Sequence, residues 1–211
     1  MANTINIGKF TEMLLAAAGQ IKANEAMLGE LDSFGGDGDH GTTMARAMNN
    51  LIGAIEKDTS GQFQSLLMDI AWAVMGTDGG ATGPLFGSLF MGMSEASPAT
   101  DEIAAKQTGE IFRGGLVSIQ KQTKATIGDK TIMDALIPAV EAIEAASGSD
   151  DIKTIFEAGY KAALAGAEST KDISARFGRA KNAGDANLGH QDPGATSVSL
   201  IFKGMLEALK S

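Results

Sequence analysis

Apolar residues recur along this chain at intervals of three and four, the spacing of one face of an α-helix. The first run extends from about Thr4 to Leu31, with Ile5, Phe10, Met13, Leu14, Ala17, Ile21 and Met27 on a broad face. A second starts near Thr42 and carries Met44, Met48, Leu51, Ile52 and Ile55, and a third, from about Gln62 to Met75, holds Leu66, Ile70 and Val74. A fourth follows Pro84, with Leu85, Leu89, Phe90 and Met93. A fifth follows Ser97-Pro98, with Ile103, Ile111, Leu116 and Ile119. A sixth begins near Thr131 and includes Met133, Leu136, Ile137, Val140 and Ile143. A seventh spans about Asp151 to Glu168, and the last about Thr196 to Leu209.

These runs predict eight helices, an all-α domain closed into a bundle. Strand-forming residues are scarce, while alanine, leucine and methionine are common. Helix starts are marked at Asp150-Asp151 and at Ser97-Pro98-Ala99-Thr100. The 11 methionines and the lone Trp72 are expected in the core.

Composition narrows the picture further. The 211 residues suffice for one domain over 1–211 with a real core, and 44% of them are apolar. No apolar run reaches the roughly 18 residues of a membrane span, and no basic stretch followed by an apolar one suggests a secretory signal. The absence of cysteine fits a cytoplasmic protein. A net charge of −9 argues against nucleic-acid binding, which needs a basic footprint.

The chemistry gathers in the loops. Asp32, Asp37 and Asp39 lie close together on one glycine-rich turn. Carboxylates so close repel one another unless a hard cation neutralises them. Oxygen donors without cysteine favour Mg²⁺, Mn²⁺ or Ca²⁺ over zinc. Other unusual loops are Gly79-Gly80-Ala81-Thr82-Gly83-Pro84, Gly128-Asp129-Lys130-Thr131, and a polar segment from about Arg176 to Thr196. Both histidines, His40 and His190, lie in these loops.

Glycine lets backbone N–H groups approach a phosphate closely, and helix N-termini favour anions. Gly83-Pro84 and Gly41-Thr42-Thr43 both read as helix starts, the latter with two hydroxyls as further donors. Together they predict a phosphate cradle beside a metal cage, with Arg179 as the protein cation. Known loop motifs do not account for these residues. Gly36-x-Gly38-x-x-Gly41 follows a helix and encloses aspartates, unlike a dinucleotide fingerprint. Gly128-Asp-Lys-Thr lacks the glycine–lysine pair of a Walker A loop. Counting from Asp37, the twelfth position is Met48, not the glutamate of an EF-hand.

Four ordered blocks now stand out: Gly36-Asp-Gly-Asp-His-Gly41, Gly79-Gly-Ala-Thr-Gly-Pro84, Gly128-Asp-Lys-Thr131 with Asp134, and Gly178-Arg-Ala180 followed by Gly189-His-Gln-Asp-Pro-Gly-Ala-Thr196. In these the chain resembles the nucleotide-binding L subunit of dihydroxyacetone kinase, the DhaL family, over nearly its whole length. The resemblance implies an eight-helix antiparallel up-and-down barrel with the nucleotide site in loops at one end. It implies two Mg²⁺ ions held by Asp32, Asp37 and Asp39, and ADP or ATP as the nucleotide. His40, Gly41, Thr42 and Thr43 would lie against the phosphates. Ala81, Thr82, Thr123, Ile132, Arg179, Asp192, Pro193 and Gly194 would also border the nucleotide.

The family pattern implies partners as well. A separate K subunit holds the ketose covalently through a histidine, and the L subunit brings the phosphoryl group. Some members consume ATP directly. Others keep ADP as a bound cofactor recharged by a phosphotransferase-system M subunit, and the Gly-His-Gln-Asp-Pro-Gly run resembles this second group. Thr42-Thr43, Thr77-Asp78 and the segment Lys181–Asp185 depart from that group's usual sequence. Direct ATP-dependent kinases of related three- or four-carbon ketoses, and nucleotide-sensing regulatory proteins, are the alternative readings.

Overall fold

The computed structural model describes residues 3–149 and 151–210. The chain begins with a three-residue strand, β1 (Thr4–Asn6), and two helices, α1 (Ile7–Ala23) and α2 (Glu25–Ser33). Then follow α3 (His40–Lys57), α4 (Phe63–Met75), α5 (Thr82–Ala96), strand β2 (Glu102–Ala104) and α6 (Ala105–Gln120). The last helices are α7 (Met133–Ala146), α8 (Ile152–Ser169) and α9 (Pro193–Ala208), with 3-10 turns at Thr170–Asp172 and Arg179–Asn187.

The helices close into a ring. Leaving α2 aside, each packs on the next in sequence, α1 on α3 and so on to α8 on α9, and α9 returns to α1. The chain reverses after each helix, so alternate connections fall at the same end. Segments 34–39, 76–81, 121–132 and 170–192 come together in this way, and a cleft opens among them. The other end is tied by Ile7 N to Asp101 O (2.7 Å) and Phe63 N to Thr100 O (2.9 Å). One contiguous apolar core fills the ring. Six of the 11 methionines, at 13, 44, 48, 93, 133 and 205, are buried in it as adaptable filler, while Met27, Met68, Met75 and Met91 are only half-buried and Met1 lies outside the described residues.

Four expectations are corrected. The first helix is not continuous: Asn24 turns its side chain back to the Gln20 carbonyl (2.8 Å) and leaves helical geometry, at φ −112° and ψ 16°. The segment beyond, α2, packs against α3 and α9. Second, Thr4–Asn6 is a strand, paired antiparallel with Glu102–Ala104 so that buried Ile5 faces buried Ile103. Asn6 caps α1 by accepting from Lys9 N at 2.8 Å, which excludes the first three residues from the helix. Third, the Ser97-Pro98 region does not open a helix. Ser97 Oγ donates back to the Met93 carbonyl (2.8 Å), ending α5, and α6 begins only after β2. Fourth, Trp72 is 61% exposed, because α4 turns Phe63, Leu66, Leu67, Ile70, Ala71 and Val74 inward and Trp72 falls on the opposite face.

Asp151 stands at the start of α8 as expected, accepting from Thr154 Oγ1 at 2.8 Å, whereas Asp150 lies outside the described residues.

Candidate active site

The turn between α2 and α3 carries the acidic groups. Gly35 N and Gly36 N both donate to the Asp32 carbonyl (3.1 and 2.6 Å), curling the chain tightly over the end of α2. A side chain on Gly36 would push the Asp32 carboxylate aside, so the absence of one lets that carboxylate lie against the turn. Asp32, Asp37 and Asp39 each offer an oxygen within 4.8 Å of the others. His40 N, at the start of α3, points at Asp32 Oδ2 from 3.4 Å.

The charges respond accordingly. Burial, the Asp37 charge and then Asp32 push Asp39 above the ordinary carboxylate range, against the pull of Arg179. Burial acts upward on Asp37 too, but its ion pair with Arg179 outweighs this and holds it below that range. Three oxygen donors with too little counter-charge, and neither cysteine nor histidine among them, suit a hard divalent cation such as Mg²⁺.

His40 is half-buried, and burial lowers the pKa of its imidazole despite the charge of Asp32. Its Nε2 lies 2.8 Å from Ser197 Oγ. Ser197 in turn donates to the Pro193 carbonyl (2.9 Å), leaving its oxygen to accept from the imidazole. A neutral His40 thus joins the start of α3 to the first turn of α9.

The last long loop forms the facing wall. Asp192 caps α9, its Oδ2 accepting from Ala195 N at 2.7 Å, with Pro193 in the first turn. This start precedes the expected one near Thr196, although Asp-Pro is a recognisable signal. Burial drives the Asp192 carboxyl up to about 7, opposed by the Ala195 N–H, reinforced by Asp134 and opposed again by Lys130. The ring of His190 stacks on Phe34. Asn187 is buried, and its Oδ1 has no partner, while its Nδ2 donates to the Ala180 carbonyl at 3.0 Å.

The cleft between these walls has a volume of about 290 Å³. It is lined by Asp32, Asp37, Asp39, His40, Ala81, Thr82, Ile132, Arg179, Asp192, Pro193 and Gly194, so most of the anticipated residues meet there. Leu85, Phe86 and Phe177 add an apolar patch. Gly41, Thr42, Thr43 and Thr123 are not among the lining residues. Gly41 is buried where α3 crosses the backbone of α2 at Glu25 and Gly29. Thr42 is exposed, and Thr43 is buried beneath Gly79. Thr123 Oγ1 accepts from Ala125 N at 3.1 Å within its own turn. The sequence reading marked the loop of Lys130 without giving that residue a role, and assigned none to Phe34, Asn187 or Ser197, all of which act through distant partners.

The chain matches the model of the DAK2 domain over residues 35–207. It is 35% identical over 204 residues to the PTS-dependent dihydroxyacetone kinase, ADP-binding subunit DhaL of Lactococcus lactis, covering 96% of this chain and 94% of that one. Another relative is the PEP-dependent dihydroxyacetone kinase 1, ADP-binding subunit DhaL of Listeria innocua, 34% identical over 188 residues and 89% of either chain. The dihydroxyacetone kinase of C. freundii, solved in complex with AMP-PNP and Mg²⁺, shares the fold, with a TM-score of 0.70 and 24% identity. That match covers 92% of this chain and 33% of that one, so the chain spans about a third of its length. The chain belongs to the DAK2 domain family, among the DhaL subunits of dihydroxyacetone kinase.

Proposed function

We propose that this chain is the nucleotide-binding subunit of a dihydroxyacetone-type kinase. It passes a phosphoryl group from Mg²⁺-bound nucleotide to a ketose, dihydroxyacetone first, held on a separate K subunit. The observation that carries this reading is a convergence: the N-termini of α3, α5 and α9 all open onto the cleft that contains the three carboxylates and Arg179. Helix N-termini attract phosphate oxygens, and carboxylates beside them call for a divalent cation.

When bound, Mg²⁺ supplies charge neutralisation and a template for the phosphate oxygens. This chain's own part is positioning and electrostatics. Asp32, Asp37 and Asp39 present the oxygens that would hold two such ions. The starts of α3 and α5 face the phosphates, with Thr82 beside them, while at the start of α9 Pro193 has no N–H and Ala195 N is already capped by Asp192. Arg179, pairing with Asp37, stands ready to share its charge with the transferring group. Leu85, Phe86, Ile132 and Phe177 offer an apolar bed for the base. No general base or nucleophile for the sugar is required of this chain, because the ketose is held by the K subunit.

We further propose that the nucleotide is a captive ADP recharged in the cytoplasm by a phosphotransferase-system M subunit. Among the described residues no helix is long and apolar enough to cross a membrane. The test is to denature freshly purified protein and identify the released nucleotide by chromatography. Near-stoichiometric ADP supports the captive cofactor. An empty site that exchanges ATP freely places the chain with direct ATP users. Failure to bind either nucleotide in the presence of Mg²⁺ rejects the reading.

A further inference from the structure

The turn between α6 and α7 is braced by its own carboxylates. Asp129 Oδ2 accepts from Thr126 N at 2.8 Å, and the two oxygens of Asp134 accept from Gly128 N and Thr131 N at 2.7 Å each. This bracing holds Lys130 at a φ of 58°, a left-handed conformation that a lysine keeps only where its surroundings over-determine it. The side chain is turned inward and is 3% exposed. Its Nζ donates to the carbonyls of Thr170 (2.6 Å), Asn187 (2.8 Å) and His190 (2.7 Å). An ammonium carries three hydrogens, and here each has an acceptor.

Those carbonyls stand on either side of the neck of one long excursion. Gly189 N donates to the Lys171 carbonyl (2.9 Å), and Asp192 N donates to Thr170 Oγ1 (2.8 Å). The chain therefore departs at Thr170–Lys171 and returns at Gly189–Asp192. Within the excursion lies Arg179, paired with Asp37. Arg176 N adds a tie to the same turn, donating to the Asp129 carbonyl at 3.1 Å.

We propose that Lys130 is a positioning residue for this site: its ammonium clamps the neck of the 171–189 excursion and so sets where Arg179 meets Asp37 and the transferring group. Without the ammonium, the three carbonyls would lose the donor they share, and those of Thr170 and Asn187 would keep only the longer bonds from Ile173 N (3.3 Å) and His190 N (3.4 Å). Arginine cannot substitute, because its donors diverge in a plane whereas these acceptors converge on a point. The consequence for catalysis rests on the kinase reading above, but the clamp itself does not.

The test compares wild type, K130M, K130R, R179A and the K130M/R179A double variant. Phosphoryl transfer is measured with a K subunit, dihydroxyacetone and the donor that the wild type accepts. Amide hydrogen exchange is measured on the chain alone. K130M is expected to speed exchange across residues 171–191 while α1, α4 and α5 stay protected. It should lower kcat by about ten- to a hundredfold with little change in KM, the cost of a misplaced charge. In the R179A background the same substitution should change kcat by less than about twofold, because its route to the chemistry is gone. K130R should not restore the rate. Unchanged exchange over 171–191, or a K130M effect equally large with and without Arg179, would overturn the proposal. If K130M does not fold, K130R goes through the same cycle and is judged by the same two outcomes. If the wild type transfers no phosphoryl group, the kinase reading fails and the exchange measurement alone decides the clamp.

Discussion

The ring of Phe34 lies flat on the imidazole of His190, with centroids 3.5 Å apart and planes within 9°. Phe34 belongs to the acidic turn, and His190 supplies one of the carbonyls that bind Lys130. The stack therefore joins the wall that carries the carboxylates to the wall that carries Arg179. Stacked aromatic pairs contribute roughly 0.5–1.5 kcal/mol beyond the area they bury. Phe34→Ala should accordingly weaken Mg²⁺–ADP binding by about two- to tenfold, and Phe34→Trp should largely keep it. Isothermal titration of the two variants is the check, and equal affinities in wild type and Phe34→Ala would remove the stack from the account.

The ion pair between Asp37 and Arg179 gives a second expectation. Asp37→Asn keeps the shape of the side chain but removes both an oxyanion proposed to hold Mg²⁺ and the partner of the arginine. Mg²⁺-dependent nucleotide binding should fall at least about a hundredfold, in the range seen when a charged group with specific partners is removed. The far-UV circular dichroism should be unchanged, since Asp37 is exposed. Retained Mg²⁺-dependent affinity would reject the metal assignment.

Gly41 invites a structural test of a residue first read as a phosphate contact. Any side chain there would run into the backbone of α2 at Glu25 and Gly29. Gly41→Ala should lower stability by about 1–3 kcal/mol, the usual cost of overpacking. Because Asp32 lies in the last turn of α2 and α3 follows Asp39, forcing the helices apart should also weaken Mg²⁺ binding. Urea denaturation and a Mg²⁺ titration on the same variant would show whether both effects appear together.

Asp192 predicts a pH dependence. Its carboxyl is raised by burial to about 7, from an ordinary value of 3.8. The folded state thus holds the proton more tightly than the unfolded one. The stability this provides is complete below the unfolded pKa and is lost as pH rises through the folded one. Asp134, which faces Asp192, steepens the loss by repelling its charge, while Lys130 moderates it. Between about pH 5 and pH 8, wild type should lose up to about 3 kcal/mol relative to Asp192→Asn. Parallel denaturation curves at the two pH values would measure the difference, and a difference that does not change with pH would contradict the assignment.

Away from the site, Thr108 Oγ1 is buried without a hydrogen-bond partner. It borders a void of about 10 Å³ shared with Ile5, Phe10, Phe63, Ile103 and Phe112, an apolar setting that gives a water too few partners. Thr108→Val should stabilise the protein by about 1 kcal/mol by removing an unpaired hydroxyl. A lower melting temperature for the variant would show that the hydroxyl is satisfied in solution.

The sequence by itself determined the all-α class, the approximate extent of most helices and the gathering of three carboxylates on one turn. These are local properties. Apolar spacing is a direct record of which helix face is buried, and three carboxylates within eight residues are close in any fold of that turn. It also marked the loops that meet in the cleft, because glycine and proline punctuate the chain where helices start and stop. The tertiary structure alone decided what those loops do to one another. Arg179 meets Asp37, Lys130 gathers carbonyls from Thr170, Asn187 and His190, and Ser197 meets His40. Each such contact joins residues far apart in sequence, and no spacing rule encodes it. The same holds for Trp72, which composition suggests should be buried and the ring of helices turns outward, and for the pairing of Ile5 with Ile103, too short to show a period. Periodicity specifies which face of an element is apolar; only packing specifies what that face, and the loops at its ends, will meet.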